Sequence, residues 1–155
     1  RVLKKRATLR AMHILERTDK TEAQLRRKLE ESEYPKEAVE SAIAYVTSYG
    51  YLDDRRYAEH YIEWKKQGKG KARLKMELVQ KGISREIIEE VLESTDFGET
   101  REMIRQIILK KRKTDIPMNE KEKQRIYGFL MRKGFSSSDI LAVMREEEWR
   151  NNTEF

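Results

Sequence analysis

The sequence predicts an all-α fold: three tandem three-helix units, elongated and curved, with helix-turn-helix-like repeats. Three observations predict it. Apolar residues recur at three- and four-residue spacing nearly everywhere, and strict alternation is absent. Seven glycines and two prolines in 155 residues leave little punctuation, and what there is falls between helical runs. One apolar pattern is written three times.

The pattern starts with Leu25, Leu29, Tyr34, Val39, Ala42 and Ile43. A shift of 49 residues gives Leu74, Leu78, Ile83, Ile88, Val91 and Leu92. A further 52 gives Ile126, Leu130, Phe135, Ile140, Val143 and Met144. Every position is apolar or aromatic and the internal spacing is constant. Each copy reads as a helix with apolar residues four apart, a tight turn carrying one buried anchor (Tyr34, Ile83 or Phe135), and a second helix. A longer helix precedes each pair.

In chain order the periodicity predicts helices over residues 4–17, 21–32 and 36–49, then 54–67, 71–81 and 85–94, then 98–113, 119–133 and 137–149. Gly82 and Gly134 stand just before the anchors, after Lys81 and Lys133. A glycine just past a helix end tolerates the left-handed conformation, and a basic residue suits the negative end of the helix dipole. Glu33 takes the glycine's place in the first copy, and Pro35 follows the anchor. The units are assigned to residues 1–50, 51–96 and 97–155. A piece this small cannot bury a large core alone, so either neighbours share apolar surface or the units are only marginally stable, and the array is expected to be elongated and curved. Helix pairs joined by short turns look like helix-turn-helix motifs in outline, a feature common to many small α bundles.

Charged residues make up 40% of the chain and hydrophobic ones 37%, interspersed at regular spacing, which does not fit a disordered tail. The net charge of +6 and a pI near 9.4 favour an anionic partner, nucleic acid being the commonest. The absence of cysteine excludes disulfides, a thiol nucleophile and any zinc site that needs sulfur. No apolar run is long enough to span a membrane or looks like a signal peptide, so a cytoplasmic location is expected. The first residue is Arg rather than Met, so further residues are expected to precede it.

The stretch "GYLDDRRYAEHYIEW", residues 50–64, poses the question of chemistry. Adjacent carboxylates at a helix start point in different directions, whereas an acid–base pair flanks a reacting centre. No spaced calcium-loop pattern accompanies them. Gly50 closes one helix, Tyr51 and Leu52 pack back on the bundle, and one of Asp53 and Asp54 caps the next helix while both meet its positive end. His13 and His60 lie on different long helices with no evident partner and read as surface or packing residues. The "SSS" at 136–138 lacks a nucleophile-elbow context, and Ser136 reads as a helix cap. "GKGK" at 68–71 lacks the phosphate-loop pattern and reads as a flexible link between helices. No catalytic, metal or cofactor site assembles, and no enzyme activity is expected.

The segment "WKKQGKGKARLK", 64–75, holds six cations (Lys65, Lys66, Lys69, Lys71, Arg73 and Lys75) and no acid. Its glycines would let backbone approach a phosphate closely. Other basic runs are Lys4-Lys5-Arg6, Arg26-Arg27-Lys28 and Lys110-Lys111-Arg112-Lys113. Such clusters suit sequence-independent phosphate contact; helix-dipole compensation accounts for part of 65–66 and 110–113. Tyr57, Tyr61 and Trp64 form one helical stripe. Trp64, at the helix end beside the lysines, is expected to be the most exposed of them. The partner or DNA contact candidates are therefore Arg55, Arg56, Trp64 and the six cations of 65–75, with Lys110, Lys111, Arg112 and Lys113.

Residues 50–83 resemble the RecX regulators of the bacterial RecA recombinase. The run carries Gly50-Tyr51-Leu52-Asp53-Asp54, Arg56-Tyr57-Ala58, Gly68-Lys69-Gly70, and Leu78 through Lys81-Gly82-Ile83. "TEAQLRRKL", 21–29, is similar to the family's first-unit segment, and the threefold repeat matches its three modules. Many members have proline after the loop's second glycine, where this chain has Lys71. The resemblance implies a non-enzymatic, monomeric modulator that binds the RecA–single-stranded DNA filament along its groove and suppresses strand exchange, ATP turnover and LexA-type cleavage. It implies roles in recombination, DNA repair and SOS control. It also casts Gly50, Tyr51, Leu52, Asp53, Asp54 and Tyr57 as the inter-unit junction. The rival readings are a stand-alone, non-specific DNA-binding module and a helical scaffold for an unrelated acidic partner. Direct contact with single- or double-stranded DNA phosphates is left open for the RecA modulator and is required of the DNA-binding module; the scaffold reading predicts neither DNA nor RecA binding.

Overall fold

The computed structural model describes residues 1–112 and 118–153, with side chains through Glu146. Among the described residues there are nine helices and no strand. They are α1 (Val2–Arg17), α2 (Glu22–Glu31), α3 (Lys36–Ser48), α4 (Asp54–Lys65), α5 (Lys71–Gln80), α6 (Arg85–Ser94), α7 (Thr100–Lys111), α8 (Glu120–Arg132) and α9 (Ser137–Thr153). Glycine placement has one exception to the expected punctuation: Gly128 lies inside α8.

The helix starts follow side-chain chemistry. Thr21 and Gln24 form a reciprocal capping box on α2, with Gln24 N donating to Thr21 Oγ1 at 3.2 Å and Thr21 N donating to Gln24 Oε1 at 3.0 Å. Asp53 caps α4 by accepting from Arg56 N at 3.1 Å. Asn119 caps α8 through Glu122 N at 2.8 Å, and Ser136 caps α9 through Asp139 N at 3.2 Å.

The three turns share one geometry. Glu33, Gly82 and Gly134 have φ of +64°, +89° and +94°. The anchor amide after each reaches back five residues: Tyr34 N to Leu29 O at 3.4 Å, Ile83 N to Leu78 O and Phe135 N to Leu130 O at 3.2 Å. That is the Schellman pattern, which satisfies a carbonyl the helix end would otherwise orphan. Of the eighteen repeat positions only Tyr34 is not fully buried, so the apolar spacing in the sequence marks true interior faces.

The chain groups into two compact bodies. The first comprises Arg1–Tyr61 with Glu77–Ser94, and the second Ile62–Met76 with the described residues from Thr95 onward. The core of the first includes Ala7, Ala11 and Ile14 of α1, Leu25 and Leu29 of α2, Ala38, Val39, Ala42, Ile43 and Val46 of α3, and Leu52. The core of the second includes Ile104, Ile108, Met118, Ile126, Leu130, Phe135, Ile140, Val143 and Met144.

Among the described residues each body shows a turn-to-helix backbone junction. In the first, buried Thr21 donates from Oγ1 to Lys81 O at 2.6 Å. A Cβ on Gly82 would lie 2.3 Å from the Ala23 Cβ, so the turn and the α2 start meet at the closest approach glycine permits. In the second, Gly70 N donates to Lys133 O at 2.7 Å and Ala72 N to Gly134 O at 3.3 Å. Thus the Lys-Gly turn after α5 docks on the start of α2, and the Lys-Gly turn after α8 docks on the start of α5.

Candidate functional site

The acid pair at 53–54 divides its labour. Asp53 caps its own helix, whereas Asp54 Oδ1 accepts from Glu22 N, the first amide of α2, at 2.8 Å. Asp54 is half-buried. Burial raises its pKa above the usual aspartate range, helped by the negative charges of Glu22 and Asp53, and outweighs the bond from the Glu22 amide. Tyr57 is also half-buried; desolvation, then the charge of Asp19, raises its phenol, while a hydrogen bond with Gln24 opposes the shift. Leu52 is buried. Asp54 and Tyr57 thus tie α4 to α2.

Tyr51 departs from expectation. It does not pack back on the bundle but is 48% exposed, its ring stacked on Tyr49 with centroids 6.1 Å apart. Tyr49 in turn lies 4.8 Å from Tyr45. Gly50 has φ +73° and an exposed position, which lets Tyr51 N and Leu52 N both donate to Val46 O, at 2.9 and 3.2 Å. Sequence alone does not show this exposed ladder, because a tyrosine at a helix end reads the same whether it faces the core or water.

Several cations are engaged within the chain. Arg55 pairs with Glu90. Arg56 donates to Gly50 O at 2.9 Å and Tyr51 O at 3.4 Å, bracing the α3–α4 turn. Lys66 Nζ binds Asp96 O at 2.8 Å and Glu63 at 3.1 Å. Arg26, of the first basic run, forms a two-pronged contact with Glu40 at 2.9 and 3.0 Å, which raises its pKa further. Lys4, Lys5 and Arg6 are exposed on α1, and His13 and His60 are exposed.

The 64–75 segment has a distinct build. Trp64 is 73% exposed, as expected, and Lys65 Nζ sits 3.9 Å from its ring centroid. Lys71 Nζ lies 5.2 Å from the Phe97 ring. Lys69 and Lys71 stand on the rim of a cleft of about 500 Å³ that also involves Phe97, Thr100, Met103 and Met131. Arg73 and Lys75 follow on α5, half-buried. The expectation that the loop glycines serve phosphate approach needs correction at Gly70. It is buried, and the space a side chain would need is taken by Gly134 O, 2.2 Å from an ideal Cβ. The close approach is to the protein's own backbone. Gly68, with φ +81°, has open space around it.

At the end of α7, Lys110 is exposed and Lys111 Nζ lies 4.1 Å from the Phe129 ring. Arg112 N closes the helix on Ile108 O at 2.9 Å. Lys113 lies outside the described residues. The cleft residues Phe97, Thr100, Met103 and Met131 had no counterpart among the expected site residues. Their only sequence cue is the register of α4 and α7. Among the described residues no group of three or more His, Cys, Asp or Glu side chains gathers as a metal site, and no helix is long and apolar enough to cross a membrane.

Tandem three-helix modules, with Trp64 exposed beside a run of cations at the end of α4, define an all-α repeat protein. The comparisons make the class specific. Family models described as the first, second and third three-helix domains of RecX match residues 7–45, 53–92 and 99–144. Regulatory protein RecX of Clostridium tetani is 36% identical over 88% of this chain and 64% of its own length. The Clostridium acetobutylicum protein of that name is 35% identical over 94% of this chain and 71% of its own length. That of Shigella boydii serotype 18 is 35% identical over 92% and 89%. The chain therefore spans about two thirds of the length of the clostridial relatives. The crystal structure of RecX from Lactobacillus salivarius superposes with a TM-score of 0.83 at 21% identity, covering 95% of this chain and 97% of that one. A second RecX crystal structure gives 0.81 at 26% identity over 91% and 72%. The chain belongs to the RecX family, whose named relatives are regulatory proteins.

Proposed function

We propose that this chain binds the RecA–single-stranded DNA filament in the cytoplasm and lowers its recombinase, ATPase and coprotease activity, acting in recombination, DNA repair and SOS control. Membership of the RecX family across all three modules carries the reading. Exposed Trp64 and Lys71, with half-buried Lys65 and Lys69 beside them, support it as a contact surface, because cations and an aromatic suit either an acidic protein face or DNA phosphate. The module boundaries are proposed at residues 50/51 and 96/97, with a monomer as the acting species.

Lys65, Lys69 and Lys71 are the proposed contact set. The test is fluorescence anisotropy with labelled single-stranded DNA, bare or coated with RecA and a slowly hydrolysed ATP analogue, at two salt concentrations. Preference for the coated filament at the higher salt supports the proposal. Charge reversal of the three lysines should weaken that binding at least tenfold with helicity unchanged. Equal filament and bare-DNA binding, both lost with salt, sinks it.

One observation favours a second reading, a stand-alone DNA-binding module. An exposed Trp64 braced by Lys65 is the kind of platform on which an unpaired base stacks. That reading predicts steep salt dependence with no benefit from RecA.

A further inference from the structure

The two junctions are built alike but filled differently. Buried Ala58 and Ile62 of α4 correspond to buried Ile104 and Ile108 of α7, each pair 46 residues apart. In that register Thr100, the first residue of α7, takes the place of Asp54, the first residue of α4. Lys71, the first residue of α5, likewise takes the place of Glu22 in α2. In the first body the Asp54 carboxylate sits on the Glu22 amide at 2.8 Å. In the second body the equivalent side chain is a threonine, and the place is an open cleft of about 500 Å³. Asp139 is the acid on its wall. Its carboxylate is held by Arg101 and by Ser136 Oγ, both at 3.0 Å, and the Arg101 bond keeps its pKa below the usual range.

We propose that this cleft receives a carboxylate side chain from an acidic, apolar-bearing peptide segment of a partner protein. The carboxylate occupies, between Thr100 and Lys71, the place that Asp54 fills in the first body. Lys69 and Lys71 supply positive charge at the rim, where the α5 dipole adds to it. Phe97, Met103 and Met131 supply an apolar, adaptable lining for a neighbouring side chain of the segment. The carboxylate is favoured over a phosphate because the homologous site in this same chain already holds one. The inference does not depend on filament binding, so either can fail without the other.

The test uses the full chain and a short fluorescein-labelled peptide of alternating glutamate with leucine and phenylalanine. Two control peptides replace glutamate by glutamine, or leucine and phenylalanine by serine. The expected result is saturable binding of the parent peptide and at least tenfold weaker binding of both controls. Thr100→Asp should restore the internal carboxylate, close the cleft to the peptide and weaken binding about tenfold. Thr100→Asn, of the same size without the charge, should leave it within about twofold. Lys71→Glu should abolish it, with circular dichroism showing intact helices. Failure of the parent peptide to bind, equal binding of the glutamine peptide, indifference to Thr100→Asp, or displacement of the parent peptide by oligothymidylate would each overturn the proposal.

Discussion

Gly70→Ala is the sharpest probe of how the second body is held together. The backbone conformation of Gly70 is not a left-handed one, so alanine is excluded by neighbours and not by φ. Its Cβ would stand 2.2 Å from Gly134 O, 2.4 Å from Gly134 C and 2.6 Å from Phe135 N. Ordinary contact begins near 3.4 Å, so the backbone must separate by about an ångström. That opens the bonds from Gly70 N to Lys133 O and from Ala72 N to Gly134 O. Two hydrogen bonds at about 1 kcal/mol each, with about 1–3 kcal/mol for overpacking, give a loss of about 3–5 kcal/mol. With a urea m-value of about 2 kcal/mol/M, the midpoint should fall by about 1.5–2.5 M. Hydrogen exchange at residues 70–76 and 133–140 should accelerate alongside. Gly68→Ala is the control. It meets no atom within 4 Å, and its φ of +81° should cost only about 1 kcal/mol. A loss below about 1 kcal/mol for Gly70→Ala, with unchanged exchange at 133–140, would refute the docked junction.

Other perturbations test the first body. Thr21→Val keeps the shape but leaves Lys81 O and Gln24 N without the Thr21 hydroxyl, and should cost about 2–4 kcal/mol in urea titration, whereas Thr21→Ser should cost less than about 1. Glu33→Gly relieves a left-handed side chain at φ +64°, and after the larger unfolded-state entropy of glycine should still raise stability by about 0.5 kcal/mol. Asp54 predicts a pH dependence with a definite sign. Its folded pKa is raised, so the folded state binds the proton more tightly, and the Asp54 contribution to stability falls as pH rises through the raised value. Asp54→Asn keeps an oxygen acceptor for the Glu22 amide and should flatten that slope without loss of stability at neutral pH. A steeper slope in the variant would contradict the assignment of burial as the cause.

The sequence by itself determined the helices, the threefold repeat, the turn anchors, a cap within the Asp53–Asp54 pair and the cap at Ser136. These depend on the spacing of apolar side chains and on short-range hydrogen bonds within one turn of chain, so local order carries them. Its motif residues also sufficed to point to the RecX family. What it left open was where like-looking residues face. Tyr51 reads as a packing residue and stacks outward on Tyr49. Gly70 reads as a loop glycine and is filled by the Gly134 backbone. Asp54 reads as part of one helix start and serves another, 32 residues away. The contrast between Asp54 and Thr100 acquires meaning only when α2 meets α4 and α5 meets α7. Only the tertiary structure decided these points, because each rests on two chain segments brought together through space, and no periodicity within either segment records which atoms of the other it will meet.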